Sequence, residues 1–215
     1  MIMAVSATAR EPAGNHDLLL DLRSGHNAAF GYFGAVSLRT GHKFDNGCML
    51  KAGVRYNSTG KVSAEMRPTY LKEYAWGKLI TEVLLTYTGQ KSVNSIAAGG
   101  GAGVCGKWIG AKLGYYFRMY GNNRTMIREP FNVYYELCAN LLPMTESWDL
   151  ELYITNSGMF ELERHYQPSF IAECRHYPTS GLGIKFGLGC KPAGMFNLSA
   201  DYFQTFIDLG LCFRW

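Results

Sequence analysis

Almost to its last residue the chain alternates apolar and polar side chains with a period of two, and that pattern confines it to strands. Successive side chains on a strand point to opposite faces, so a sustained period of two means a sheet with one apolar and one polar face. Between Gly47 and Asn57, the residues Cys48, Leu50, Ala52, Val54 and Tyr56 share one face, against Lys51, Gly53, Arg55 and Asn57. From residue 28 to residue 70 the even positions carry the apolar face. Residues 131–141 and 148–155 repeat the pattern, the latter with Trp148, Leu150, Leu152 and Ile154 opposite Asp149, Glu151, Tyr153 and Thr155. Helical periodicity is sustained nowhere, and the 25 glycines recur too often for long helices. The chain reads as all-β.

The turn chemistry gives the same register. Asp45-Asn46-Gly47, Ser58-Thr59-Gly60, Asn156-Ser157-Gly158 and Pro192-Ala193-Gly194 read as three-residue hairpin links with glycine in the left-handed position. Such a link pairs residue i with i+4 and keeps face parity: Phe44 with Cys48, Asn57 with Lys61, Thr155 with Met159, Lys191 with Met195. At Gln204-Thr205 the parity flips, as a two-residue link demands. Together these signals predict about twelve antiparallel strands, within a range of ten to fourteen. They fall over 16–24, 27–44, 48–57, 61–71, 75–88, 107–120, 130–141, 147–155, 159–175, 181–191, 195–203 and 206–215. The Gly-rich stretch 92–106 stays open between a long loop, an inward-folded segment and a further strand. Residues 1–13 read as a disordered segment or a signal-peptide remnant, with Ala7 and Ala9 spaced as at a signal-peptidase site. Residues 14–215 read as a single β-barrel domain.

A soluble barrel turns its apolar face inward and a membrane barrel turns it outward. Twelve strands enclose too wide a lumen for one layer of apolar side chains to fill. The polar face is dense in both signs, with Arg23, Lys78, Lys112, Arg118, Arg175, Lys185 and Arg214 among its bases. Its acids include Asp17, Asp21, Glu65, Glu82, Asp201 and Asp208. The apolar face is nearly free of charge; Arg164 is the exception, marking a bulge or a stretch beyond the lipid. Tyr56, Tyr70, Tyr87, Trp148, Phe160, Tyr166 and Trp215 lie near strand ends on that face, as an interfacial girdle would. The pattern therefore predicts a transmembrane, up-and-down antiparallel β-barrel, with a soluble lipocalin-like barrel or sandwich as the competing fold. The longest uncharged stretches, 24–38 and 92–106, are too short and too polar for a membrane-spanning helix. The net charge of +4 comes without any Lys/Arg run, so a nucleic-acid partner is not expected. Six cysteines are spread with no CxxC and no zinc-ligand spacing and read as small apolar residues; no metal and no cofactor is expected.

The last strand carries the most specific feature: Ile207, Leu209, Leu211, Phe213 and Trp215 on one face, Asp208, Gly210, Cys212 and Arg214 on the other. A final amphipathic strand ending in an aromatic residue resembles the assembly signal of bacterial outer-membrane β-barrel proteins. That resemblance covers the strand pattern of nearly the whole chain but names no subfamily. It implies residence in the bacterial outer membrane, contact with its lipids, and recognition of the five apolar residues by the barrel-insertion machinery. The cysteines depart from the class, whose members usually avoid them.

The polar-face charges segregate. Arg39, Lys51, Arg55, Lys61 and Arg67 are opposed locally only by Glu65, whereas Glu136, Asp149, Glu151, Glu161, Glu163 and Glu173 form an acidic group. In a closed ring these two arcs would face each other across the lumen and line a pore for a small polar or anionic solute, porin-like in function. The competing reading pairs the same charges as salt bridges that plug the lumen of a structural barrel. An enzyme of the outer-membrane lipid hydrolase kind is the third reading: Glu173, His176 and Ser180 flank one turn, close enough in sequence for a Ser–His–acid relay. No lipase motif surrounds them, and Pro178 and Ser180 are turn formers in their own right. His165 and His176 lack a third ligand at metal spacing.

Overall fold

Leu20 and Leu22 are 40% and 59% exposed, while Asp21 between them is 2% exposed. The apolar face therefore points out and the polar face in, the inverse of a soluble barrel. The computed structural model describes residues 15–91, 93–122, 124–141, 148–158, 160–162, 167–178, 181–192 and 202–215. Its strands are β1 (His16–Asn27), β2 (Gly31–Lys43), β3 (Cys48–Asn57), β4 (Lys61–Tyr74), β5 (Gly77–Gln90), β6 (Val93–Cys105) and β7 (Ile109–Gly121). They continue with β8 (Met126–Asn140), β9 (Trp148–Thr155), the short β10 (Ser157–Gly158) and β11 (Glu161–Leu162), β12 (Ser169–His176), β13 (Leu182–Pro192) and β14 (Tyr202–Arg214). Twelve of them close a ring in the order β1-β14-β13-β12-β9-β8-β7-β6-β5-β4-β3-β2, and β10 pairs only with β11. The seam between β14 and β1 is paired from Asp17↔Arg214 to Asn27↔Gln204. Closure gives each of the twelve strands a hydrogen-bonded neighbour on both sides, which is what a strand-built wall needs in lipid.

The first links form as expected. Phe44 donates its N–H to Cys48 O at 2.9 Å, and Gly47 and Gly60 take φ of +83° and +79°. Four points differ from the expected layout or decide an alternative left open. First, 27–44 is not one strand: β1 runs on to Asn27, whose Oδ1 accepts from Ala29 N at 2.8 Å, and the chain reverses over residues 28–30 into Gly31 at φ +80°. Second, of the three alternatives open for the Gly-rich stretch the further strand is the one formed: it is β6, paired with β5 from Lys78↔Cys105 to Gln90↔Val93 and with β7 along its length. Third, Gln204-Thr205 is no turn: Gln204 pairs with Asn27 and Lys191 inside β14. The expected strand 195–203 and its Pro192-Ala193-Gly194 link lie largely outside the described residues, with 202 and 203 opening β14. With β6 in the wall, twelve strands of the described residues close the ring.

The fourth point, a correction, positions the site. Asn156-Ser157-Gly158 is not a hairpin link, and Thr155 pairs with Ser169 rather than with Met159. The chain leaves the wall at Asn156 because that side chain imitates a strand peptide. Its Nδ2 donates to Val133 O at 2.9 Å and its Oδ1 accepts from Tyr135 N at 2.8 Å. The ladder beside β8 is continued by an amide side chain, which frees the backbone to turn into the lumen.

Glycines fill the wall where large side chains lie flat against it. A Cβ on Gly101 or Gly114 would run into Tyr134, and one on Gly99 would meet Tyr116 2.6 Å from its Cβ. Tyr116 and Tyr134 are fully buried, packed with Leu84 and Ala97.

Candidate functional site

The lumen holds a cavity of about 290 Å³. Arg39, Lys51, Arg55 and Arg67 line it on the β2–β4 side, and Glu136, Glu151 and Glu173 on the β8–β12 side. In the ring, β3 stands directly opposite β9, so the two groups do face each other. Asp149 is buried on β9, and Lys61 opens β4 at one rim. Glu161 belongs to the inward β11, and Glu163 lies outside the described residues.

The charges are nonetheless compensated along the wall rather than across it. On one half, Lys185 of β13 reaches Asp21 at 3.0 Å, Glu173 at 3.2 Å and Asp208 at 3.9 Å. Arg39 pairs with that same Asp21, Arg175 with Glu173, and Arg23 with Asp208 at 2.6 Å. On the other half, Lys112 of β7 sits 3.2 Å from Glu82 and 3.5 Å from Glu136, and Tyr134 Oη donates to Glu82 at 3.0 Å. Lys51 makes no ion pair among the described residues, and the two carboxylate oxygens of Asp149 accept no hydrogen bond among them.

Between these halves runs the segment 156–162, which crosses from β9 to the opposite wall. Arg67 of β4 donates to Ser157 O and Ser157 Oγ at 3.2 Å and to Gly158 O at 3.4 Å, while its Nε pairs with Glu65. Glu65 in turn accepts from Phe160 N at 2.7 Å. Phe160 is 3% exposed, its ring 4.8 Å beneath the Arg55 guanidinium and seated over Gly53, where a Cβ would lie 2.7 Å from Phe160 Cζ. Beyond it, Arg118 donates to Leu162 O, and Leu162 packs on the cluster of Leu84, Ala97, Tyr116 and Tyr134. Phe160 holds φ at +69°, a conformation that costs a non-glycine residue about 1–2 kcal/mol and persists where its surroundings fix it. Phe160 is thus a lumen residue and not part of the outer girdle. Tyr56, Tyr70, Trp148 and Trp215 do face outward, and Tyr166 lies outside the described residues.

Sequence spacing did not reveal this segment. The available signal was parity: Arg164 would have faced lipid had 159–175 been a strand.

The relay suggested by Glu173, His176 and Ser180 is not assembled by the described residues. Glu173 faces the lumen, paired with Arg175 and Lys185, whereas His176 stacks on Trp148 with ring centroids 4.1 Å apart. Alternation puts the two on opposite sides of the wall, and Ser180 lies outside the described residues. Ile207, Leu209, Leu211, Phe213 and Trp215 all project outward and exposed.

No protein-family model and no curated protein matches the sequence. Among solved structures, the KdgM porin aligns with 92% of this chain and 99% of its own at a TM-score of 0.56 and 11% identity. The NanC porin aligns with 91% of this chain and 100% of its own at 0.58 and 10%. The translocator domain of the autotransporter NalP from Neisseria meningitidis aligns with 94% of this chain and 88% of its own, also at 0.58 and 10%. At 10–11% identity these likenesses establish the fold, a porin-like closed antiparallel β-barrel.

Proposed function

We propose that this protein is a channel of the bacterial outer membrane that passes small polar solutes, anionic ones in preference, through a lumen narrowed by residues 156–162. The observation that carries this reading is the charged cavity enclosed by a barrel whose outer face is apolar. A structural barrel without transport has no need of a charge-lined cavity of that size. The preference for anions rests on Lys51, a lumen cation on the β2–β4 wall that makes no ion pair among the described residues. A KdgM porin structure was solved in complex with disordered oligogalacturonate, an example of this fold holding an acidic saccharide. The outward row Ile207, Leu209, Leu211, Phe213 and Trp215 is the strand by which the insertion machinery would recognise the barrel.

Liposome swelling tests the reading. Vesicles carrying the refolded protein should admit small sugar acids faster than neutral sugars of the same size, and empty vesicles should admit neither. A second reading, a permanently plugged barrel, is favoured by the same inward segment, since Arg67, Glu65 and Arg55 all hold it. Vesicles that admit no solute of any size would establish that second reading.

A further inference from the structure

One row of side chains in the lumen wall is absorbed by neither reading. At the barrel end where β1 begins and β14 ends, register aligns Lys78 of β5, Cys105 of β6, Gly110 of β7, Cys138 of β8 and Tyr153 of β9 across five strands. The two cysteines flank the glycine, and the space its missing side chain leaves is filled by their sulfurs. A Cβ on Gly110 would lie 2.8 Å from Cys138 Sγ and 3.1 Å from Cys105 Sγ. Both sulfurs therefore stand over β7, each within about 3 Å of one point above Gly110. They are 1% and 5% exposed and share their pocket with Met49, Leu71, Ile80 and Tyr153, so a thioether stands in the same cluster.

The strands that position these thiols also prevent their oxidation to one another. With β7 between them, the two Cα atoms are separated by two strand spacings, about 9.5 Å. A disulfide needs Cα atoms within about 7 Å, and a closed barrel wall cannot draw two strands together through a third. The two thiols therefore cannot join in a disulfide with each other.

We propose that Cys105 and Cys138, with the Met49 thioether in the same cluster, bind a soft, thiophilic monovalent cation of the copper(I)–silver(I) class. Thiolate and thioether donors in apolar surroundings select such cations, whereas zinc calls for four N, S or O ligands that this pocket does not hold among the described residues. On binding, each thiol gives its proton to water as its sulfur–metal bond forms, so one cation replaces two protons and the bound unit carries one negative charge. Lys78, aligned with Cys105 in the same wall, is paired with Glu73 at 2.7 Å, so formation of the thiolates is driven by the sulfur–metal bonds themselves. Access comes from the lumen: Met49, Leu71, Ile80 and Tyr153 line the central cavity as well as packing around the sulfurs.

The test is silver(I) retention by the refolded full chain, read by native mass spectrometry against a glutathione competitor. Wild type should hold one silver ion per chain, and so should Cys174→Ser, a change on another strand. Cys138→Ser and Cys105→Ser should retain it at least about 100-fold more weakly. Gly110→Ala should do the same with all six cysteines in place, because its methyl group would sit between the sulfurs; if that variant does not fold, the two serine variants decide. Equal retention by wild type and Cys138→Ser would overturn the proposal. So would binding that follows the number of accessible thiols, or zinc taken up in preference to silver.

Discussion

Arg67 and Ser157 are 90 positions apart in the chain and meet in the middle of the lumen, where one guanidinium nitrogen donates to both the carbonyl and the hydroxyl of Ser157 at 3.2 Å. That contact joins opposite walls of the barrel, since Arg67 belongs to β4 and Ser157 opens β10, with Asn156 alone between it and the end of β9. It also gives a lumen arginine a task other than attracting solute. Substituting Arg67 by Ala strands Glu65 as a buried, uncompensated carboxylate and releases residues 157–158. Breaking such a pair typically costs about 3–5 kcal/mol. Thermal unfolding in detergent should shift downward accordingly, and an unshifted transition would mean that the segment is held elsewhere.

Asn156→Ala isolates the point where the chain leaves the wall. It removes the donor to Val133 O and the acceptor from Tyr135 N, and leaving two such groups unmade costs about 1–3 kcal/mol each. Amide hydrogen exchange should therefore rise selectively at Tyr135, with the β13–β14 amides unchanged. A uniform rise across the barrel would contradict a local role.

Val36 and Ser37 are neighbours in β2 on opposite sides of the wall, 42% and 3% exposed. Spin labels at the two positions in lipid should report contact with oxygen, which partitions into the bilayer, at 36 and with a water-soluble relaxant at 37. The reverse assignment would make this a soluble barrel with an inverted core.

Trp215→Ala should leave folding in detergent intact while reducing insertion in cells several-fold, because the row from Ile207 to Trp215 faces outward where the insertion machinery can read it. Fractionation of membranes from cells producing the variant provides the measurement. Unchanged insertion would leave the terminal aromatic with a girdle role alone.

Most of the wall was legible in the sequence because each strand buries one polar face and exposes one apolar face, a contrast that period two records directly. β6 was illegible for a physical reason: its inward positions Gly99, Gly101 and Gly103 carry no side chains, since Tyr116, Tyr134 and the β7 backbone occupy that space. The inward segment was hidden because Asn156-Ser157-Gly158 satisfies the chemistry of a hairpin link, while Asn156 is spent on imitating a peptide of β9. Parity put Arg39, Lys51, Arg55, Arg67, Glu136, Glu151 and Glu173 on the face that lines the cavity. Their pairing was not legible, because Lys185, which gathers Asp21, Glu173 and Asp208, bridges strands that are distant in sequence.

Single-channel recording of the refolded protein in a planar bilayer under a salt gradient tests the central claim. The wild type should show discrete conductance steps with a reversal potential on the anion-selective side. Lys51→Glu should move that potential toward cation selectivity, and Phe160→Ala should enlarge the step by unseating the ring over Gly53. A bilayer that stays silent with the wild type, and opens only when Phe160 or Arg67 is replaced, would contradict a transport function and leave residues 156–162 as a permanent plug.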